Sequence, residues 1–367
     1  MDIRVGIVGA SPGGSWAAGT HVPAIEATPG VRLTAVATSR PESARRAGEE
    51  FGVAHAFHDW RSLVRHPEVD LVVVAVRVTG HAEVVRAALA AGKHVLSEWP
   101  LAVDAEEAAE LAALAEGAGV VHAVVLQGYH SPWARFVADV VAEGRVGRVD
   151  SVHVIAPGDP FGGPATHADL AWTADPAAGG TLLTIMLGHV LGTLGRFTAP
   201  PVEVSGVVTR PNDEVEVLGS GERVPNGSPG QVALLGRLAD GAVFSIGVPG
   251  GSLPGPDRFS AKLVGTAGTL TITGVDQGAY AHWTPWDVVL RTRDAETRLA
   301  LPDHYGAVGR VEHVAAVYAE LVAAVAEGRD AEPGFRTALR HHRVLEAVSR
   351  SSDTGARQVV ADEPTLA

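Results

Sequence analysis

The chain opens on Ile3-Arg4-Val5-Gly6-Ile7-Val8 and then breaks into Gly9-Ala10-Ser11-Pro12-Gly13-Gly14 before Ser15-Trp16. No other stretch constrains the fold as much. A short β-branched run, a glycine-rich turn and a small-residue segment (Trp16–Ala27) that suits a helix spell strand, tight turn, helix. The alternation continues. Val31–Ala37, Leu71–Val76, His94–Ser97 and Val120–Leu126 read as strands, with helices at Glu42–Phe51, His58–Val64, His81–Ala91 and Ala105–Gly117. A run apolar on both faces, such as LVVVAV, belongs in a parallel sheet covered on both sides. Residues 1–126 are thus expected to form a doubly wound nucleotide-binding domain.

After Gln127 the character changes. A helix at Pro132–Gly144 is followed by short strands near 149–155, 202–209, 231–238, 242–248, 260–264, 269–273 and 287–291. Strands at that spacing without intervening helices indicate a mostly antiparallel sheet. Residues 210–230 are polar and turn-rich and read as a mobile surface excursion. Helices at Val311–Glu327 and Phe335–Arg350 close the chain. The fold class is α/β, with a second domain expected over 127–367.

Composition removes several functions. A net charge of −13 argues against nucleic-acid phosphates and anionic membrane surfaces. No cysteine is present, so disulfides, thiolate metal sites and cysteine nucleophiles are excluded. The histidines show no metal-ligand spacing, and no metal is expected. The start MDIRVGIVGA carries no basic leader, and no apolar run reaches a membrane span, so a cytoplasmic protein is expected.

The glycine turn carries the nucleotide signal. A Gly-x-Gly-x-x-Gly pattern needs glycines at 9, 11 and 14; Gly9 and Gly14 fit, and the middle place is Ser11. Gly9 suits the turn, Gly14 close helix packing, and backbone N–H groups at the helix start a pyrophosphate. The same letters also serve an ordinary strand–helix loop. At the end of the second strand, where NAD-binding proteins place an acid, the chain reads Thr38-Ser39-Arg40. A hydroxyl and a guanidinium suit the 2′-phosphate of NADP, with NAD the alternative; a solvated arginine heading a helix is the plainer reading.

Several motifs together (AVATSR, AGKHVLSEWPLA, LQGYHSP and GGTLLTIMLGH) resemble the Gfo/Idh/MocA family across nearly the whole chain. Within it the chain most resembles the branch that includes the fungal galactose-regulon repressor. Shared features are Trp16-x-x-x-Thr20-His21-x-Pro23-Ala24-Ile25, Glu98-Trp99, Leu126-Gln127-Gly128 and Gly188-His189. The resemblance implies a Rossmann domain, a C-terminal α/β domain whose open sheet mediates homo-oligomers, and hydride transfer between NAD(P) and a sugar or cyclitol carbon. It also implies cofactor contacts from Trp16, Val76, His81, Glu98, Trp99 and Gln127.

Two departures bear on the chemistry. The family's Glu-Lys-Pro is here Glu98-Trp99-Pro100, and indole has no useful titration. The chain's two lysines, Lys93 and Lys262, supply no obvious substitute. The family's Asp four residues before His is here Ile185, leaving His189. His189 reads either as an acid/base near neutral pH or as a packed helix histidine. Tyr129 and His130, after the last strand of the first domain, read either as proton donors or as loop residues. His81 reads either as a cofactor-side residue or as a helix cap. Two functions follow: an NADP-dependent oxidoreductase on a sugar-like or other small carbonyl or alcohol substrate, or a non-catalytic NAD(P)-binding regulator.

Overall fold

The computed structural model describes residues 2–158, 161–251, 258–276 and 280–360. They divide into two compact units. One takes the chain up to Gln127 together with Gly309–Leu339; the other takes Gly128–Val308 and the residues from Arg340 onward.

The first unit is built on β1 (Ile3–Val8), β2 (Val31–Ala37), β3 (His55–Phe57), β4 (Leu71–Val74), β5 (His94–Glu98) and β6 (His122–Val125). All pair in parallel, in the order β3-β2-β1-β4-β5-β6. The expected doubly wound sheet is therefore present, and its order reverses between β1 and β4, where such sheets bind nucleotides. β3 is an addition to the strands read from the sequence. It spans three half-buried residues at the sheet edge, too short to leave a periodic signature.

The central strands are dry. Val5, Ile7, Val72, Val73, Val74, Val95 and Leu96 are all fully buried, which requires helices on both faces. One cover comes from far along the chain. Val314, Val317, Tyr318, Leu321 and Ala324 of the helix Arg310–Glu327 join Val5, Ile7, Ile25 and Leu71 in one core cluster. Each large apolar side chain so buried contributes about 1.5–3 kcal/mol of transfer free energy. On another helix, Asp104 accepts the Glu107 N–H at 2.8 Å as N-cap, and Gly119, at φ +64°, ends the run Ala105–Ala118.

The second unit holds β7 (Val149–Ile155), β8 (Ala165–Thr166), β9 (Pro201–Thr209), β10 (Glu214–Val217), β11 (Arg223–Pro225) and β12 (Gln231–Leu238). β13 (Val243–Pro249), β14 (Ser260–Gly265), β15 (Gly268–Gly274), β16 (Trp286–Thr292), β17 (Glu296–Leu299) and β18 (Gln358–Val359) follow. Nine strands make one sheet, β17-β16-β15-β14-β7-β13-β12-β9-β18, antiparallel except for β7 with β13. Its residues alternate. Val152, Val154, Leu234, Phe244, Ile246 and Leu263 are buried, whereas Ile155, Val207, Leu235 and Val243 are 49–60% exposed on the opposite face.

One expectation is corrected here. Residues 210–230 are not simply an excursion: β10 and β11 pair as a hairpin, and β8 joins β10 in a three-stranded sheet. Val215, Val217, Asn226 and Ser228 are buried, and Ser228 donates to the Thr173 carbonyl. With only two valines buried among many polar residues, the pattern was hidden.

Gly9 fixes the start of the first unit. It has φ +110°, and a Cβ there would lie 2.2 Å from the Ala75 carbonyl oxygen. Gly9→Ala is expected to cost about 2–3 kcal/mol, read as a lower denaturant midpoint; an unchanged midpoint contradicts this tight β1–β4 crossing.

Candidate functional site

The turn after β1 is open on one side. Gly13 (φ +82°) and Gly14 (φ +105°) are in conformations that favour glycine, and an added Cβ on either would meet nothing within 4 Å. Ser11 is exposed, and its carbonyl accepts the Ser15 hydroxyl at 2.7 Å. The open side of the turn thus fits a bound group, while Gly9 closes its inner side.

The helix after the turn is not a plain α-helix. Ala17–His21 form a π-turn, closed by the Val22 N–H to the Ala17 carbonyl, before α-geometry resumes at Val22–Glu26. In a π-turn residues five apart come into register. Trp16 and His21 are five apart, and both reach the same atom. Trp16 Nε1 donates to Glu98 Oε1 at 2.9 Å, and His21 Nε2 lies 2.6 Å from that oxygen. Behind His21, its Nδ1 is 2.7 Å from the Tyr318 hydroxyl. His21 and Tyr318 are fully buried, and the Glu98 side chain is 13% exposed. Trp16 also has the Arg310 guanidinium 5.5 Å from its ring.

Neither His21 nor Tyr318 has a role legible in the sequence. His21 stood only as a letter in a shared motif, and Tyr318 lies 297 residues away. The five-residue spacing of Trp16 and His21 was their one local signal, and α-helical periodicity does not show it.

The other residues expected on the cofactor side take distinct places. Ser39 and Arg40 are exposed just beyond β2, with Arg40 as N-cap of the helix Pro41–Glu50. Trp99 is 5% exposed directly after β5, and Gln127 is buried. His81 is buried between two carbonyls, with Nδ1 2.8 Å from Pro100 O and Nε2 2.9 Å from Val76 O. A neutral ring carries one N–H and donates to one of them at a time. Burial pushes the His81 imidazole below its usual range, against the pull of these carbonyls and of Glu98. The ring therefore ties the segment after β4 to the one after β5. Lys93 lies at the other end of β5, where Nζ donates to the carbonyls of His66 and Val69.

In the second unit His189 is buried on the helix Gly188–Leu194, which continues a π-turn over Leu182–Leu187. Its ring stacks on His282 at 4.6 Å, and His282 stacks in turn on Tyr280 at 5.4 Å. Trp283 meets both edge-on. The stack could not be read from the sequence because nearly a hundred residues separate its members. A Cβ on Gly128 would lie 2.1 Å from Thr193 Oγ1 and 2.8 Å from His282 Cβ, so only glycine fits there. Tyr129 and His130 follow on a 3₁₀ turn. Tyr129 is half-buried with the Arg196 guanidinium 5.1 Å from its ring, and His130 is buried.

One further cluster emerges only in three dimensions. His55, His66 and Glu68 bring possible metal-ligand atoms within 4.8 Å of one another, although the sequence spacing suggested no metal. His55 Nε2 pairs with Glu68 Oε2 at 2.5 Å, and the Glu68 N–H donates to His66 Nδ1 at 3.2 Å. The cluster lies at the start of β3, away from the strand ends that carry Glu98 and Arg40.

Comparison with known proteins gives two family models in chain order. The oxidoreductase family GFO_IDH_MocA, with its NAD-binding Rossmann fold, matches residues 3–126, and the Gal80p C-terminal domain matches 132–274. Dehydrogenase aclE of Aspergillus oryzae is 30% identical over 308 residues, 80% of this chain and 82% of that protein. The galactose/lactose metabolism regulatory protein GAL80 of Saccharomyces cerevisiae is 26% identical over 292 residues, 74% of this chain and 67% of that protein. A levoglucosan dehydrogenase solved with NADH has the same fold, with a TM-score of 0.88 at 22% identity, covering 99% of this chain and all of that one.

Burial makes acid stability a test of this packing. The His81 value is lowered, and His341, fully buried near Arg340, is held at about 3. Because both folded values lie below the unfolded one, the unfolded chain binds more protons below about pH 6.5. Stability present above that pH is lost beneath it, by up to about 1.4 kcal/mol per pH unit for each group. The urea midpoint is expected to fall from pH 7 to pH 5, and less steeply in His341→Leu. A flat profile contradicts neutral buried rings.

Proposed function

The chain belongs to the Gfo/Idh/MocA oxidoreductase family, and from that premise we propose that it is an NADP-dependent oxidoreductase of the cytoplasm. Its substrate is a sugar-like or other small carbonyl or alcohol compound. The observation that carries this reading is the open glycine turn between β1 and the first helix, at the edge of a β3-β2-β1-β4-β5-β6 sheet. Gly9, Ser11 and Gly14 receive the pyrophosphate, and Trp16, Val76, His81, Glu98, Trp99 and Gln127 shape the rest of the cofactor site. Ser39 and Arg40 stand where an acid would meet a ribose diol, and their charge favours a 2′-phosphate over NAD. The nicotinamide supplies the hydride donor or acceptor; orientation and proton handling fall to the chain. His189, Tyr129 and His130 are the candidate substrate-side polar groups.

The names of the relatives support a sugar-like substrate, since levoglucosan dehydrogenase of Pseudarthrobacter phenanthrenivorans is 25% identical over 358 residues. A second reading has its own observation. The Gal80p C-terminal match, with Trp99 and Ile185 in the places of the family's Lys and Asp, favours a non-catalytic NAD(P)-binding regulator. The exposed apolar face around Ile155, Val207, Leu235 and Val243 supports a homo-oligomer formed through the large sheet.

Purified protein followed at the reduced-nicotinamide absorbance with a panel of sugars is expected to show turnover; tight nucleotide binding with no turnover supports the regulator instead. Arg40→Ala is expected to weaken NADPH about tenfold or more while leaving NADH within about twofold, and equal loss for both contradicts NADP preference. Leu235→Asp is expected to give a smaller species by light scattering, and an unchanged mass rules out this face as the interface.

A further inference from the structure

Glu98 ends β5 with a carboxylate whose two oxygens are in different positions. Oε1 takes a donor from Trp16 Nε1–H, so it is an acceptor. His21 Nε2 at 2.6 Å must then carry its proton toward the same oxygen, which makes His21 Nδ1 an acceptor in the neutral ring. Tyr318 completes the chain. Its hydroxyl is pushed well above its ordinary pKa by burial and by the Glu98 charge, so it stays protonated and donates to His21 Nδ1 at 2.7 Å. Every hydrogen bond in the row points the same way, toward Oε1. Oε2 has no partner among the described residues. The charge of Glu98 also reaches His81, which stands on the other side of the strand end.

Such an arrangement does more than stabilise the fold. A partly buried carboxylate needs donors, but two on one oxygen, backed by a fully buried His–Tyr pair, leave the other oxygen preorganised and available. It sits at the C-terminal end of a central strand, on the side where ligands of doubly wound sheets collect. The neighbouring residue is Trp99, which has no titrating proton.

We propose that Glu98 is the proton acceptor of the reaction, in place of the absent lysine, and that His21 and Tyr318 are positioning residues that aim it. This rests on the oxidoreductase reading and names its base. On oxidation the substrate's carbinol hydrogen leaves with two electrons to the oxidised nicotinamide, and its C–O bond becomes C=O. The hydroxyl proton passes to Glu98 Oε2. Reduction of a carbonyl runs the same transfers backwards, with protonated Glu98 as donor.

Glu98→Gln tests the base, because an amide keeps an acceptor oxygen for Trp16 and His21 but loses the charge, and its NH2 cannot take a proton. NADPH affinity, measured by fluorescence, is expected to weaken far less than turnover. Turnover at saturating sugar should fall by about 10²–10⁴-fold, and the rising limb of kcat against pH should vanish. Tyr318→Phe, nearly isosteric, is expected to lower kcat about tenfold, with KM and NADPH affinity unchanged and the rising limb shifted. Wild-type rates in Glu98→Gln overturn the assignment. So does a large loss of NADPH affinity with kcat preserved, which would make Glu98 a nucleotide anchor. A wild-type protein that turns over nothing overturns the oxidoreductase reading and this base with it, whereas an active wild type with an equally active Glu98→Gln overturns the base alone.

Discussion

The first unit depends on one carboxylate. Glu98 is where three separate segments meet: the turn after β1 through Trp16, the π-turn through His21, and the returning helix Arg310–Glu327 through Tyr318 behind His21. A charge at 13% exposure is tolerable only because it is hydrogen-bonded, and breaking one partner would leave a buried donor or acceptor unpaired. The same interaction holds the glycine turn against the end of β5. The residues expected to meet the pyrophosphate and those expected to meet the nicotinamide are thus tied within one network.

A second constraint comes from His81. Its ring sits between the carbonyls of Val76 and Pro100, so the loops after β4 and β5 are joined by a group that burial keeps neutral. With Gly9 pressed against Ala75, the strand ends around the reversal of sheet order are set by backbone contacts and by two histidines. The departure at Trp99 falls directly after β5, within that frame.

Much of the fold was legible because its signals are local. The first four residues of LVVVAV, apolar on both faces, became β4, buried throughout, and the alternation in QVALLGRL became β12 with one wet face. β3 and the 210–230 hairpin were not legible. His-Ala-Phe is too short for a period, and the hairpin buries only a few residues among Glu, Asn, Ser and Gly. The site was half legible. Gly9 and Gly14 stood out by the glycine pattern, Arg40 by its strand end and Glu98 by the family resemblance, yet the partners of Glu98 did not. A π-turn sets a five-residue spacing that α-helical reading does not seek, and Tyr318 comes from a helix nearly three hundred residues later. The His189–His282–Tyr280 stack was hidden for the same reason, distance in sequence.

The central claim is that this member of an oxidoreductase family moves hydride despite lacking the usual lysine. The most direct measurement follows deuterium from NADPH carrying deuterium at both hydrogens of nicotinamide C4 into the products of a panel of sugar-like carbonyl compounds, read by mass spectrometry. The account predicts a product one mass unit heavier, with deuterium on the former carbonyl carbon. Label that stays wholly on a nucleotide shown to be bound, across the whole panel, would contradict it.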